Sequence, residues 1–98
     1  MNEILEVDPT ALHLPWTRWS GADPAKLQRQ ISRYGLSTDG MPLIEVYRCR
    51  DGVLLIDDGV TRATRVAKLL PGQTVKVLVK GRLPVPRNHF PTVGARLP

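Results

Sequence analysis

The apolar positions follow two periodicities, and these divide the chain into helices and strands. Leu27, Ile31 and Tyr34 recur at i, i+4 and i+7, the stripe of an amphipathic helix. Asp23 before the stripe is an N-cap, its carboxylate suited to accept from the free N–H groups of a first turn. Pro24 at the next position gives up only an N–H that has no intrahelical partner, and Gly35 can take the left-handed conformation that ends a helix. The pattern predicts a helix over 24–34, with Lys26, Arg29 and Arg33 on a solvated face. A second stripe, Ala63, Val66, Ala67 and Leu70, predicts a helix over 59–70 that Pro71-Gly72 stops. Arg62 and Arg65 are expected to project away from its buried side.

Strand signals lie between and after the two stripes. Residues 42–49 are dense in Ile44, Val46 and Tyr47 and predict a strand. Asp51-Gly52 follows as a hairpin turn, because Gly supplies positive φ without steric cost. Residues 53–56 predict the returning strand, fully apolar and therefore expected at the centre of a sheet. Thr74 to Lys80 alternates cleanly, with Val75, Val77 and Val79 on one face, and predicts a half-buried strand over 74–80. Ala11 to Leu14, mostly apolar and ending at Pro15, suits an edge strand entering a loop. Ser37 to Gly40 is a turn-rich break. The expected fold class is α+β: one small mixed or mostly antiparallel sheet with two main helices.

From Gly81 onward the pattern dissolves. Pro84, Pro86, Pro91 and Pro98 interrupt a stretch that also holds Arg82, Arg87 and Arg96. Recurrent proline disfavours helix and central strand, so the chain divides into a domain over 1–81 and a basic, Pro-rich arm over 82–98. Two readings of the arm are open: it wraps its own domain through Leu83, Val85 and Phe90, or it reaches a protein partner. Trp16 and Trp19 also admit two readings, stacking on bases with Arg18 adding charge, or closing over a small core as a lid. The lid is the expectation.

Composition narrows the class. With 98 residues and a hydrophobic share of 42%, the chain fits one modest domain to which a ligand or a second copy can matter. No apolar run reaches the ~20 residues of a membrane span, and Met1-Asn2-Glu3-Ile4 is not a basic leader. The single Cys49 cannot close an internal disulfide, and a cytoplasmic or other reducing compartment is expected. Charge is polarised: residues 1–40 carry four basic and five acidic side chains, residues 41–98 ten and four. A basic half suits an anionic partner or simply a solubilising surface.

Chemistry concentrates in one place. Cys49, His13 and His89 do not make a zinc site, Cys49 reads as a small buried hydrophobe, and no Walker loop or dinucleotide fingerprint occurs. What remains is the junction from Leu54 to Leu70, where an apolar strand runs through Asp57-Asp58-Gly59 into a helix. Gly59 allows close approach to the backbone, and a helix start favours an anion by ~0.3–1 kcal/mol. Thr61 adds a hydroxyl and Arg62 a planar fork suited to phosphate oxygens. Asp57 and Asp58 oppose a bare phosphate unless they cap the helix and pair with Arg62, or unless a Mg²⁺ ion bridges them to the phosphate. Capping needs fewer parts and is the expectation.

The order of these signals resembles the ParB/sulfiredoxin superfamily. The matching stretches are the segment before Pro15, Ile31-Ser32-Arg33-Tyr34-Gly35, Pro42 to Val46, Asp51-Gly52, Leu55 to Arg62, and Thr74 to Val79. The resemblance implies a ParB-like α+β domain binding nucleotide or nucleic-acid phosphates at the helix start through Gly59 and Arg62. Thr61 stands where relatives often have His or Arg, and Arg65 replaces a small residue. Sulfiredoxin activity is not implied, because that branch needs a cysteine where this chain has Val60. The arginine-rich CTP box of the chromosome-partitioning branch is reduced here. The chain reads as a stand-alone, divergent member.

Three functions follow. The first is a phosphate-recognising module for nucleotide or nucleic acid, DNA or RNA, in which Gly59, Thr61 and Arg62 hold phosphate and Arg65 and Lys68 widen the basic surface. The second is a metal-dependent nuclease or nucleotide-using enzyme, with Asp57 or Asp58 holding Mg²⁺ or acting as a base. The third is a protein-interaction module working through residues 82–98.

Overall fold

A computed structural model describes residues 2–98. Its chain order is β1 (Glu3–Val7), α1 (Pro24–Tyr34), β2 (Ile44–Cys49), β3 (Leu54–Asp58), α2 (Val60–Leu69) and β4 (Val75–Leu83), with 3-10 turns at Pro9–Ala11, Trp16–Arg18 and Gly94–Arg96. The four strands form one mixed sheet in the order β1-β4-β2-β3. β4 runs antiparallel to β1 and parallel to β2, and β2 runs antiparallel to β3. The fold is α+β. Among the described residues, no helix is long and apolar enough to cross a membrane.

Both helices begin where the capping residues place them. Asp23 Oδ1 accepts from the N–H of Ala25 at 2.9 Å and of Lys26 at 3.3 Å, and Gly35, at φ +56°, closes α1 by donating to Ile31 O at 2.9 Å. Between β2 and β3 the N–H of Gly52 donates to Cys49 O and that of Cys49 to Val53 O, with positive φ at Gly52. That is the bonding of a three-residue hairpin loop with a glycine bulge.

One face of the sheet carries the core. Ile44, Val46, Ile56, Val75, Val77 and Val79 pack against Ala63, Val66 and Ala67 of α2 and against Leu12, Leu14 and Val93. Cys49 is buried as expected, and burial pushes its thiol up.

Several expectations are corrected. No strand is foreseen before Ala11, yet β1 pairs the sheet edge; Ile4 is 58% exposed on its outer face, which masks the alternation of Leu5 and Val7. Residues Pro9–Ala11 form a 3-10 turn rather than strand, and sheet pairing in the Ala11–Leu14 stretch is a bridge at His13. That bridge joins Leu55 on one side and Thr92 on the other, so the segment extends the sheet beyond β3. β3 is the last of the four named strands, yet it has β2 on one edge and the His13 segment bonded to Leu54 O and Ile56 N–H on the other, which accounts for its apolar run. In α1 only Leu27 of the expected stripe is fully buried, and Tyr34 is 47% exposed.

The proline-rich segment wraps its own domain. The expected boundary after residue 81 falls inside β4, and Val93 is buried in the core. Leu14 N–H donates to Pro91 O and Val93 N–H to Leu12 O, both at 2.8 Å. Asp51 Oδ2 accepts from the backbone of Arg87 at 3.0 Å and Asn88 at 2.9 Å, tying the arm to the hairpin. His13 Nδ1–H donates to Phe90 O at 2.8 Å. In this proline-rich segment helical structure beyond β4 is limited to the short 3-10 turn at Gly94–Arg96, and the attachment is nonetheless ordered.

Candidate functional site

The junction between β3 and α2 opens into a hollow of about 360 Å³, whose walls include Thr17, Arg18, Lys26 and Gln30 besides Asp57 to Arg62. Gly59 stands at the cap position of α2 with φ +116°, and no side chain caps the first turn. The first intrahelical bond is Ala63 N–H to Gly59 O at 2.9 Å, so the N–H groups before it have no acceptor within the helix. A Cβ at residue 59 would lie 3.0 Å from Arg62 Nη2 and 3.1 Å from Ile44 Cγ1. Glycine is required here by conformation and packing, independently of any ligand.

The expected helix cap by Asp57 or Asp58 is not formed. β3 continues through both residues, and Glu45 pairs with Asp58 beside a bulge in β2. Each carboxylate meets a cation, and for Asp58 that cation is Arg62, the pairing expected beside the cap. Asp57 bonds Lys80, which reaches across β2 and also meets Glu45 at 3.3 Å. Asp57 first, and Glu45 after it, hold the Lys80 ammonium above its usual range, with partial desolvation opposing them. Asp58 Oδ2 accepts from Arg62 Nη2 at 3.3 Å, and the same nitrogen donates to Leu43 O at 3.1 Å. The negative charge that opposes an anion is thus largely matched. Among the described residues, His, Cys, Asp and Glu form no group of three or more able to hold a metal ion.

Arg18 and Lys26 complete the picture. They face the same hollow, and among the described residues neither forms an ion pair. Lys26 belongs to the α1 face read from sequence as solvated, and Gln30 lies one turn further along it. For Lys26 and Gln30 the sequence signal is that i, i+4 spacing, and Arg18 is marked only as a charge beside Trp16 and Trp19; the approach of α1 to the α2 start comes from packing.

Arg65 is placed elsewhere. The expectation that it projects away from the buried side is overturned: it is 2% exposed. Its Nη1 donates to Gly35 O at 3.0 Å and Ser37 O at 2.7 Å, and Nη2 approaches Met41 Sδ at 3.5 Å. The guanidinium also lies 5.4 Å from the Tyr34 ring centroid. It therefore sits at the negative end of the α1 dipole and pins the following loop. A second cavity, about 200 Å³, lies there between α1 and α2, with Gln30 and Arg62 common to both hollows. Thr61 is half-buried in the wall of the first hollow, and Lys68 points away to donate to Pro98 O at 3.0 Å. Gly59, Thr61, Arg62, Asp57 and Asp58 are thus gathered together; Arg65 and Lys68 are not among them.

In comparisons with known proteins, no family model and no curated protein matches the chain.

Proposed function

We propose that the hollow at the start of α2 binds a phosphate group of a nucleotide or nucleic acid. The observation that carries this reading is the uncapped first turn opening toward Arg18 and Lys26, two cations that form no ion pair among the described residues, although the Asp23 carboxylate attracts both from further off. A phosphate seated there accepts from backbone N–H groups and the Thr61 hydroxyl, while the positive helix end and the two cations supply field. Arg62 serves as a wall: its Nη2 donates to both Leu43 O and Asp58, while its Nε is buried without a partner. Arg65 enters the reading indirectly, by holding the loop behind the hollow. The reading includes membership of the ParB/sulfiredoxin superfamily on the Leu55 to Arg62 motif, and residence in a cytoplasmic or similarly reducing compartment.

The test is titration calorimetry with pyrophosphate, nucleoside triphosphates and short oligonucleotides, each with and without Mg²⁺. Wild-type protein should bind at least one of these, more weakly as salt rises. Lys26→Ala and Arg18→Ala should each weaken binding about three- to ten-fold with little change in melting temperature, as for partly exposed charge-assisted contacts. Affinity unchanged in both variants, or no binding by any probe, would sink the proposal.

A further inference from the structure

The chain has two Trp, two Tyr and one Phe, and three of these five aromatic residues gather on one surface with His89. Trp16 and Trp19 lie with ring centroids 5.9 Å apart, Trp19 and Phe90 5.1 Å, and Phe90 and His89 4.9 Å, all edge to face. The lid expected of the tryptophans is not what they form. Trp16 is 75% exposed and Trp19 36%, and neither belongs to the core cluster. An indole left so far in water forgoes the burial for which tryptophan is usually kept, and Trp16, the most exposed ring of the group, has surface left to meet a ligand.

Cations are interleaved with the rings. The Arg87 guanidinium lies 4.9 Å from the Phe90 centroid, and Arg96 Nε donates to Trp19 O at 3.2 Å, fixing the tryptophan backbone. Arg18, Arg87 and Arg96 form no ion pair among the described residues. Trp16 shares a single 3-10 turn with Thr17 and Arg18, and those two residues line the hollow at the α2 start. Within three consecutive residues the chain thus turns from an open ring face to the wall of the phosphate hollow.

We propose that this ladder, Trp16, Trp19, Phe90 and His89, is a stacking surface for single-stranded nucleic acid. The bases lie on the rings, and the backbone passes Arg18 into the α2 hollow. The proposal rests on the phosphate reading above and names its ligand: a strand with unpaired bases rather than a free nucleotide or a duplex. Every base offers a π face to an aromatic ring, and unpaired arginines beside the rings match the phosphates between bases. An apolar protein partner would be served by the rings alone and would bring no anion to the three guanidinium groups, which form no ion pair among the described residues.

The test uses fluorescence anisotropy with labelled twelve-nucleotide oligo(dT) and oligo(U), an oligo(dT) duplexed with its complement, and an abasic phosphodiester oligomer of equal length. Expected are binding of the single strands, weaker binding of the duplex and the abasic oligomer, and a loss of about five- to one hundred-fold for oligo(dT) in Trp16→Ala. Trp16→Phe, which keeps a ring, should restore most of that loss, and the abasic oligomer should not distinguish the variants. Equal affinity for abasic and base-bearing oligomers, or wild-type affinity in Trp16→Ala, overturns the stacking surface; it leaves the phosphate reading standing if Lys26→Ala still weakens the abasic oligomer. Binding of no oligomer at all removes both. Trp16-dependent self-association without oligonucleotide binding assigns the ladder to protein contact and likewise overturns the proposal.

Discussion

Arg65→Met separates the structural arginine from the functional hollow. Methionine retains much of the buried stem but removes the fork that joins Gly35 O, Ser37 O and the Tyr34 ring. Hydrogen bonds to a charged donor contribute about 1.5–3 kcal/mol each, so the two carbonyl contacts represent roughly 3–6 kcal/mol before compensation. Two effects reduce the net loss. The Arg65 Nε is enclosed without a partner, and removing the guanidinium relieves the cost of keeping a cation out of water. Gly35 and Ser37 are themselves partly exposed, so their carbonyls can recover water. A net loss of about 2–4 kcal/mol is expected, a large part of the roughly 5–15 kcal/mol of a domain this size, and a fall in Tm of roughly 10–25 °C. Urea denaturation at neutral pH measures it, with hydrogen exchange in residues 36–43 showing whether the loop loosens first. A loss under about 1 kcal/mol, or a gain, would mean that desolvation of the cation cancels its bonds, and the pinning argument would fail.

Gly59→Ala should lose about 2 kcal/mol or more in the same assay, because φ +116° and the nearby Ile44 side chain both resist a Cβ; a neutral result would refute the packing account of this glycine. In Asp51→Ala the amides of Arg87 and Asn88 should exchange faster by NMR, since the carboxylate that accepts from both is gone; unchanged exchange would show that the arm holds without it. Partial desolvation works against ionisation of Asp51, but the backbone N–H groups of Asn88, Arg87 and Val53 outweigh it and hold the carboxyl below its usual range. A depressed folded pKa contributes stability above the unfolded value, about 3.9, and loses it as pH falls through the folded value. Arm protection should therefore decline in acid below about pH 4 in wild type and show no such dependence in Asp51→Ala; protection that is flat with pH in both proteins would contradict the assignment.

Much of the local structure was legible in the chain. Asp23-Pro24 marks the start of α1 at the residue where it begins, Gly35 marks its end, and Asp51-Gly52 marks the β2–β3 turn, because capping and positive φ are decided within a few residues. The alternation of Val75, Val77 and Val79 marks β4 for the same reason. The gathering of Asp57, Asp58, Gly59, Thr61 and Arg62 was legible too, since they are consecutive or nearly so. What only the tertiary structure decided depends on distant partners. The parallel pairing of β2 with β4, the addition of β1 at the edge, and the seating of the proline-rich arm join segments that local patterns cannot relate. Arg65 and Arg18 are chemically alike, yet one is buried by carbonyls 28 and 30 positions away and the other faces a hollow. Trp16 is outside although it is large and apolar, while Leu12, Leu14 and Val93 fill the core. Periodicity determines which residues prefer burial, whereas the packed chain determines which of them find a place inside, because that depends on whether partners from remote segments satisfy their polar atoms and occupy the space first.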